Sequence, residues 1–264
     1  MGWKDAMEYV RGAATRRGLA EAPADQELPL GARIGSVVSL QQSPLLRASA
    51  AGSLIRMPSG GDTRILAVSR IKLNLSGKLY RYYLDKGDDA DDEKFLQVYV
   101  NEQGQVAEIL YCTQLARVIP ETAEDQEAYT GEAGYGLGDA SYTLWRAQLD
   151  AQPGSAGLDQ HDLDLAFGSE EGLEYLRDAG DPDADFVAPF NGTETRIDDA
   201  GGMGGLLQEM YFMPYVRQLN GAGKEFLLIT TEILRSVNGD AGKRGIHVDF
   251  VIGIPVEQER VVIQ

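Results

Sequence analysis

The chain reads TRILAVSRIKL at 63–73, LYRYYL at 79–84, KFLQVYV at 94–100 and VAEILYCTQLARV at 106–118. These four runs are rich in β-branched and aromatic residues, and stretches with glycine and polar residues separate them, which is typical of β-strands joined by turns. Parallel strands would need long crossover connections. The segment therefore predicts an antiparallel meander, in which strands that are consecutive in the chain lie side by side.

The second half of the chain shows the same kind of pattern. Strand-like runs occur at 140–149, 209–219, 225–234 and 245–254, and a short apolar run follows at 260–263. The runs LYRYYL, FLQVYV and VAEILYC of the first half match, in order, MYFMPYV, EFLLITT and GIHVDFV of the second. This order predicts either an internal duplication of one meander or a single continuous β-rich domain.

Three segments of the chain are predicted to be short helices. Trp3, Met7 and Val10 recur at helical spacing near the N-terminus, and two more helices are predicted near 122–130 and at 169–179. Strands account for most of the remaining pattern. The predicted fold class is therefore α+β, made mostly of antiparallel β-meander sheets with a few short helices.

The same pattern divides the chain into three parts. Residues 1–27 are predicted to form the N-terminal helix and a polar connector, residues 28–130 the first β-rich half, and residues 131–264 the second β-rich half. A length of 264 residues suits one large domain or two of ordinary size.

Composition limits the class of protein. The single cysteine, Cys112, excludes an internal disulfide. The N-terminus lacks the apolar core of a signal peptide, and no apolar run has the roughly 18–20 residues that a membrane-spanning helix needs. These features predict a cytoplasmic, bacterial protein without a transmembrane segment.

Acidic residues are concentrated in two stretches of this chain, whose formal net charge is −17. Residues 159–185 hold ten carboxylates and one cation, Arg177, and residues 85–93 hold six carboxylates and Lys86. Such a surface repels the phosphate backbone, so nucleic-acid binding is not expected. It would attract a divalent cation, a polyamine or a basic protein.

The acidic stretch at 159–185 also contains candidate metal ligands that lie close together in the sequence. No EF-hand is present, because the positions that need glycine and glutamate hold Phe186 and Gly192. A zinc site is not expected, because there is one thiol and the two histidines are far apart in the sequence. The weak candidates for a metal site are Asp159, His161, Asp162 and Asp164.

Catalytic templates are incomplete in this sequence. No nucleophile elbow or phosphate-binding loop occurs, and Cys112 is predicted to be buried and inert within a strand. His247 and Asp249 share one face of a predicted strand, where a carboxylate could orient an imidazole as a general base. The alternative is a polar pair on the solvated face of a half-buried strand. These two residues are the weak catalytic candidates, and no cofactor is expected.

The runs LPLGARIGSVVSL (28–40), LYRYYL (79–84) and FLQVYV (95–100) resemble a family of uncharacterised bacterial proteins, a domain of unknown function. In related bacteria these genes tend to lie near genes for a phage-shock-protein-A-like protein and a glutathionylspermidine-synthase-like ligase. The resemblance implies no activity, cofactor or catalytic residue. It implies a link to envelope stress or to polyamine metabolism.

Two functions of different classes follow from these observations. The first is a non-enzymatic cytoplasmic interaction or accessory protein linked to envelope stress, with a protein partner. The alternative is an enzyme or binder that acts on a cationic small molecule such as a polyamine. Carboxylates that line a buried pocket would favour the alternative, and acidic residues confined to exposed loops would favour the first.

Overall fold

The computed structural model describes residues 24–58, 60–86, 93–150, 158, 160–201, 205–234 and 245–264. The predicted helix near Trp3 lies outside these residues. No helix within them is long and apolar enough to cross a membrane.

Twelve strands and four short α-helices occur in the described parts of the chain. The strands are β1 (Val37–Leu40), β2 (Asp62–Leu73), β3 (Lys78–Leu84), β4 (Lys94–Val100), β5 (Val106–Val118), β6 (Ser141–Trp145), β7 (Gly172–Arg177), β8 (Phe190–Ile197), β9 (Gly205–Leu219), β10 (Gly223–Leu234), β11 (Gly245–Pro255) and β12 (Val261–Ile263). The helices are α1 (Ser43–Ala50), α2 (Ala123–Thr130), α3 (Arg146–Asp150) and α4 (Gln160–Phe167), with 3-10 turns at Pro29–Gly31 and Gln258–Arg260.

Eight of the strands form a closed ring. Strands β2, β3, β4 and β5 pair in sequence order, as the meander prediction requires, and β8, β9, β10 and β11 do the same. The two meanders join where β5 pairs with β11 and where β2 pairs with β8. All of these pairs are antiparallel. The ring therefore has four strands from each half of the chain, and the strands correspond as a duplication would require, although the duplication itself stays a prediction.

The remaining strands extend the sheet outside the ring. The first residues of β2 pair with β1, which also pairs with β12. On the other side, β9 pairs with β8 along its first half and then with β7, which carries β6 at its outer edge. The sheet thus forks twice, and each fork contributes a short arm.

The predicted α+β class is wrong, because the protein is essentially all-β. The sheet buries one face by closing on itself, and much of its other face is covered by the two arms, loops and short helices, so no separate helical layer is needed. A large apolar core lies on the outer face and includes Tyr82, Leu96 and Tyr215. A smaller one lies inside the ring and includes Phe95 and Leu228.

One helix prediction is confirmed and another is wrong. Helix α2 begins where expected, and the Thr122 hydroxyl accepts a hydrogen bond of 3.1 Å from the backbone nitrogen of Asp125. The helix predicted at 169–179 is instead the strand β7, in which Leu173 and Tyr175 alternate with exposed residues. This alternation has the period of a strand, and pairing with β6 and β9 outweighs the local helix signal.

A buried carboxylate on the outer face fixes the segment after α1 to the sheet. Glu225 is fully buried, and one of its oxygens accepts hydrogen bonds from the Ser53 hydroxyl and from the Leu54 backbone nitrogen. The other accepts from the Tyr175 hydroxyl at 2.7 Å and from Arg217 Nε at 2.6 Å. The carboxylate is therefore fully satisfied without contact to solvent.

We expect Glu225→Gln to lower the free energy of unfolding by about 3 kcal/mol, because it leaves the poorly exposed Arg217 without its counter-charge. Chemical denaturation measures this. Glu257→Gln is the matched control, because its ion pair with Arg260 is exposed and its loss should cost less than about 1 kcal/mol. Equal effects of the two substitutions would contradict this role of Glu225.

The thiol of Cys112 should react slowly with a thiol reagent in the native protein and rapidly after denaturation. Its side chain is fully buried inside the ring, and burial raises the pKa of the thiol, which suppresses the reactive thiolate. Because the chain has one cysteine, the labelling rate reports this site alone. Rapid labelling of the native protein would contradict its burial.

Candidate functional site

The interior of the ring is the candidate site, and its two ends differ in chemistry. Alternation along each strand sends every second side chain inward. On β3 the inward residues are Leu79, Arg81 and Tyr83, whereas Tyr82 and Leu84 face the outer core. Along this strand the interior thus changes from apolar at Leu79 to polar at Arg81.

Arg81 is the centre of the polar end. Its guanidinium Nη1 lies 3.6 Å from Glu194 and 3.7 Å from Glu232, and its side chain is only 4% exposed. Its Nε donates to the Gln97 side chain at 3.2 Å, and its Nη2 donates to the Thr230 hydroxyl at 3.1 Å. One cation therefore links strands of both meanders inside the ring.

Glu194 is held by groups from two neighbouring parts of the ring, the strands β3 and β9. Its carboxylate accepts a hydrogen bond of 2.8 Å from the Tyr83 hydroxyl and one of 3.1 Å from the Gln208 amide. Burial raises the pKa of the Tyr83 hydroxyl, so it stays a donor. Next to it, the Arg196 guanidinium lies 3.9 Å from the centroid of the Tyr83 ring and forms an ion pair with Glu93.

The two catalytic candidates, His247 and Asp249, both lie on the inward face of β11 at this polar end. The Asp249 side chain is 9% exposed, so it is not on a solvated face. It accepts two hydrogen bonds from Arg117, at 2.6 and 2.7 Å, and one from the Gln114 amide at 2.8 Å. His247 contacts a different carboxylate, because its Nε2 lies 2.7 Å from Glu232.

Glu232 completes a group that the sequence did not identify. Pairing of β10 with β11 places Glu232 opposite His247 and Thr230 opposite Asp249. One ligand atom from each of Glu232, His247 and Asp249 lies within 4.8 Å of the others. Burial raises the pKa of Glu232, the hydrogen bond with His247 opposes this, and the nearby carboxylates add to the rise. The available signal was a carboxylate on the face of β10 that begins as apolar, at alternating spacing after Phe226, Leu228 and Thr230.

The opposite end of the interior is an open apolar cavity of about 430 Å³. Three phenylalanine rings and four leucines form much of its wall, and Phe190 stacks on Phe212 with 6.5 Å between the ring centroids. Glu108 and Asp178 lie at the rim and are exposed. The lining residues on which the argument below depends are Leu79, Tyr99, Leu110, Phe190, Phe212, Phe226 and Leu228.

The rim carboxylates are poorly compensated. The pKa of Glu108 is raised, first because the cavity wall removes solvent from one side of the carboxyl group and second because the Asp178 carboxylate repels its charge. Lys224 acts in the opposite direction, and its ammonium lies 6.0 Å from the centroid of the Phe226 ring. This end therefore combines apolar walls, aromatic faces and negative charge.

The predicted metal ligands around His161 are not gathered into a site. Asp159 lies outside the described residues, and His161, Asp162 and Asp164 lie on α4, far from His247 along the chain. His161 and Asp164 are exposed, and Asp164 forms an ion pair with Arg146. In the described parts of the chain, only Glu232, His247 and Asp249 bring three potential metal ligands together.

The other described carboxylates of the acidic stretch lie on the surface. The only cation in that stretch, Arg177, donates to the carbonyl oxygens of Gly138, Ala179, Asp181 and Ala184. It therefore organises the loop after β7 through backbone groups and leaves the surrounding carboxylates facing outward.

Comparison with known proteins gives a family but no activity. The family described as "Protein of unknown function (DUF2491)" matches residues 12–153, more than half of the chain, so the resemblance to a family of unknown function is confirmed. The curated proteins give no match, and the solved structures give none.

Proposed function

The chain belongs to the DUF2491 family, and because that description assigns no activity, we propose from the cavity that the protein binds a small organic cation with an apolar portion. The observation that carries this proposal is the apolar end of the ring, where aromatic walls and two rim carboxylates face one cavity. A volume near 430 Å³ lies within the range of small-molecule sites.

The walls of the cavity suit the apolar portion of such a ligand. Leu79, Leu110 and Leu228 offer aliphatic surface, and Phe212 and Phe226 offer ring faces. Closed sheets of eight antiparallel strands have interiors that either fill with side chains or hold one small ligand. Here the polar end is filled by the Arg81 network and the other end is open.

The rim suits the cationic portion. An ammonium group between Glu108 and Asp178 would relieve the repulsion that raises the pKa of Glu108. Lys224 supports this assignment, because its own ammonium already lies beside Phe226 and acts on Glu108. Aromatic faces and carboxylates together favour ammonium ligands over neutral or anionic ones.

These features favour the binder of a cationic small molecule over the interaction protein, because two carboxylates stand at the rim of an apolar pocket, although both are exposed. The gene neighbourhood implied by the family resemblance, with a glutathionylspermidine-synthase-like ligase, supports an amine as the ligand.

Decylammonium should bind with an affinity at least about tenfold higher than decanol, and decanoate should bind more weakly still, because only the ammonium is attracted by the rim. Isothermal titration calorimetry measures all three. Titration with spermidine tests whether positive charge without a long apolar tail is enough for binding. Tighter binding of decanol or decanoate than of decylammonium would contradict the proposal.

Substitutions at the rim of the cavity test where decylammonium binds. Glu108→Gln and Asp178→Asn should each weaken decylammonium binding several-fold, whereas Glu174→Gln, an exposed position on β7 away from the cavity, should have no effect. Lys224→Ala should strengthen binding, because it removes a competing ammonium. Unchanged affinity in both rim variants would place the ligand elsewhere.

The affinity for decylammonium should rise with pH through the raised pKa of Glu108, which lies above its ordinary value of 4.5, and then level off. The sign follows because the cation binds the ionised carboxylate and so displaces its proton, while an alkylammonium stays charged up to about pH 10. Titrations at several pH values check this. In Glu108→Gln the dependence should be much smaller, and an affinity that falls with rising pH would contradict the assignment.

A further inference from the structure

The polar end of the ring carries a second inference, independent of the cavity. Glu232, His247 and Asp249 come from two adjacent strands and present two carboxylates and one imidazole to the same point. We propose that these three side chains form a binding site for one divalent transition-metal ion, of which Zn²⁺ is the representative probe.

The donor set fits such an ion. Imidazole nitrogen and carboxylate oxygen are ligands that Zn²⁺ and its neighbours accept, and three protein ligands leave a coordination position open. The ligand atoms lie within 4.8 Å of one another, so small rotations of the side chains bring them to one centre. The imidazole of His247 already lies 2.7 Å from Glu232.

Asp249 is oriented as a metal-binding carboxylate usually is. Arg117 and the Gln114 amide donate to its two oxygens, and a carboxylate with about four acceptor positions retains capacity for one further bond. Hydrogen bonds of this kind hold ligating carboxylates in place around bound metals. Arg117 is 46% exposed, so it can shift outward without losing solvation.

Unpartnered polar atoms point into the same interior. Gln208 is 95% buried, and its Nε2 donates to Glu194 while its Oε1 has no hydrogen-bond partner. Ser69 is fully buried, lies opposite Arg81 in the pairing of β2 with β3, and has an unpartnered hydroxyl. Buried polar atoms are rarely left without partners, so these two offer a hydrogen-bond donor and an acceptor to a polar guest, such as a bound water, in the polar end.

The charge balance of the polar end also favours a cation. Its ion pairs contain one more carboxylate than guanidinium groups, without counting the exposed Asp198: Arg81, Arg117 and Arg196 face Glu93, Glu194, Glu232 and Asp249. Access is possible because the His247 side chain retains 14% of its exposure. The site therefore lies at the mouth of the ring and not in its centre.

A calorimetric titration of the metal-free protein with Zn²⁺ alone tests the proposal. We expect one saturable site per chain and a loss of affinity of at least about tenfold in Glu232→Gln and in His247→Gln. His161→Gln is the matched control, because His161 is the only other histidine in the chain and is exposed on α4. The affinity of the His161→Gln variant for Zn²⁺ should equal that of the unaltered protein.

A second measurement keeps the test decisive if a variant fails to fold. In the unaltered protein, Zn²⁺ should shift the imidazole nitrogen resonances of His247 and leave those of His161 in place, with the His161→Gln spectrum giving the assignment. Absence of a saturable site, an unresponsive His247, or loss of binding in His161→Gln would overturn the proposal. Decylammonium binding should be unchanged in His247→Gln, so the two proposals fail separately.

Discussion

Closure of the sheet is the constraint on which the other features depend. The seam between β2 and β8 brings two backbones together at Gly192, where a Cβ would overlap the Lys72 carbonyl oxygen. Only glycine permits this approach. Once the seam forms, the strands of the ring have partners on both sides, and their inward side chains must share one narrow interior.

That interior explains why so many charged groups are buried. Arg81 cannot reach solvent, so it is tolerated only because Glu194 and Glu232 balance its charge and Gln97 and Thr230 accept hydrogen bonds from it. Such pairs are weak evidence for stability, because desolvation offsets most of the attraction. Their effect here is to fix which strands meet, since the partners of Arg81 come from three other strands, β4, β8 and β10.

The two ends of the interior differ because the inward residues change type along each strand. On β10, Phe226 and Leu228 precede Thr230 and Glu232, and on β11 the order is reversed, with His247 and Asp249 before Val251. Antiparallel pairing therefore places the apolar residues of the two strands side by side at one end of the ring and their polar residues side by side at the other end. The apolar cavity and the polar cluster are thus both formed by inward-facing side chains of the same strands. The two proposed ligands would bind at opposite ends of the ring.

The acidic composition has a different structural basis from the buried carboxylates. The abundant acids of 159–185 lie mainly on the surface around a loop that Arg177 organises, whereas Glu194, Glu232 and Asp249 are isolated in the sequence and meet only in the ring. The high density of carboxylates in residues 159–185 thus marked a solvent-exposed surface. The functional candidates were single carboxylates on strands, with no local excess of charge to mark them.

The sequence by itself determined the antiparallel meander, the α2 helix and the burial of Cys112, because alternation, turn residues and a capping threonine act over a few neighbouring positions. It also placed His247 and Asp249 on one strand face. Only the tertiary structure decided the all-β class, the strand at Gly172–Arg177, and the meeting of Glu232 with His247 or of Glu108 with Asp178. Those outcomes depend on which strands pair across long separations, and pairing is fixed by sheet closure and shared burial, which no short stretch of sequence encodes.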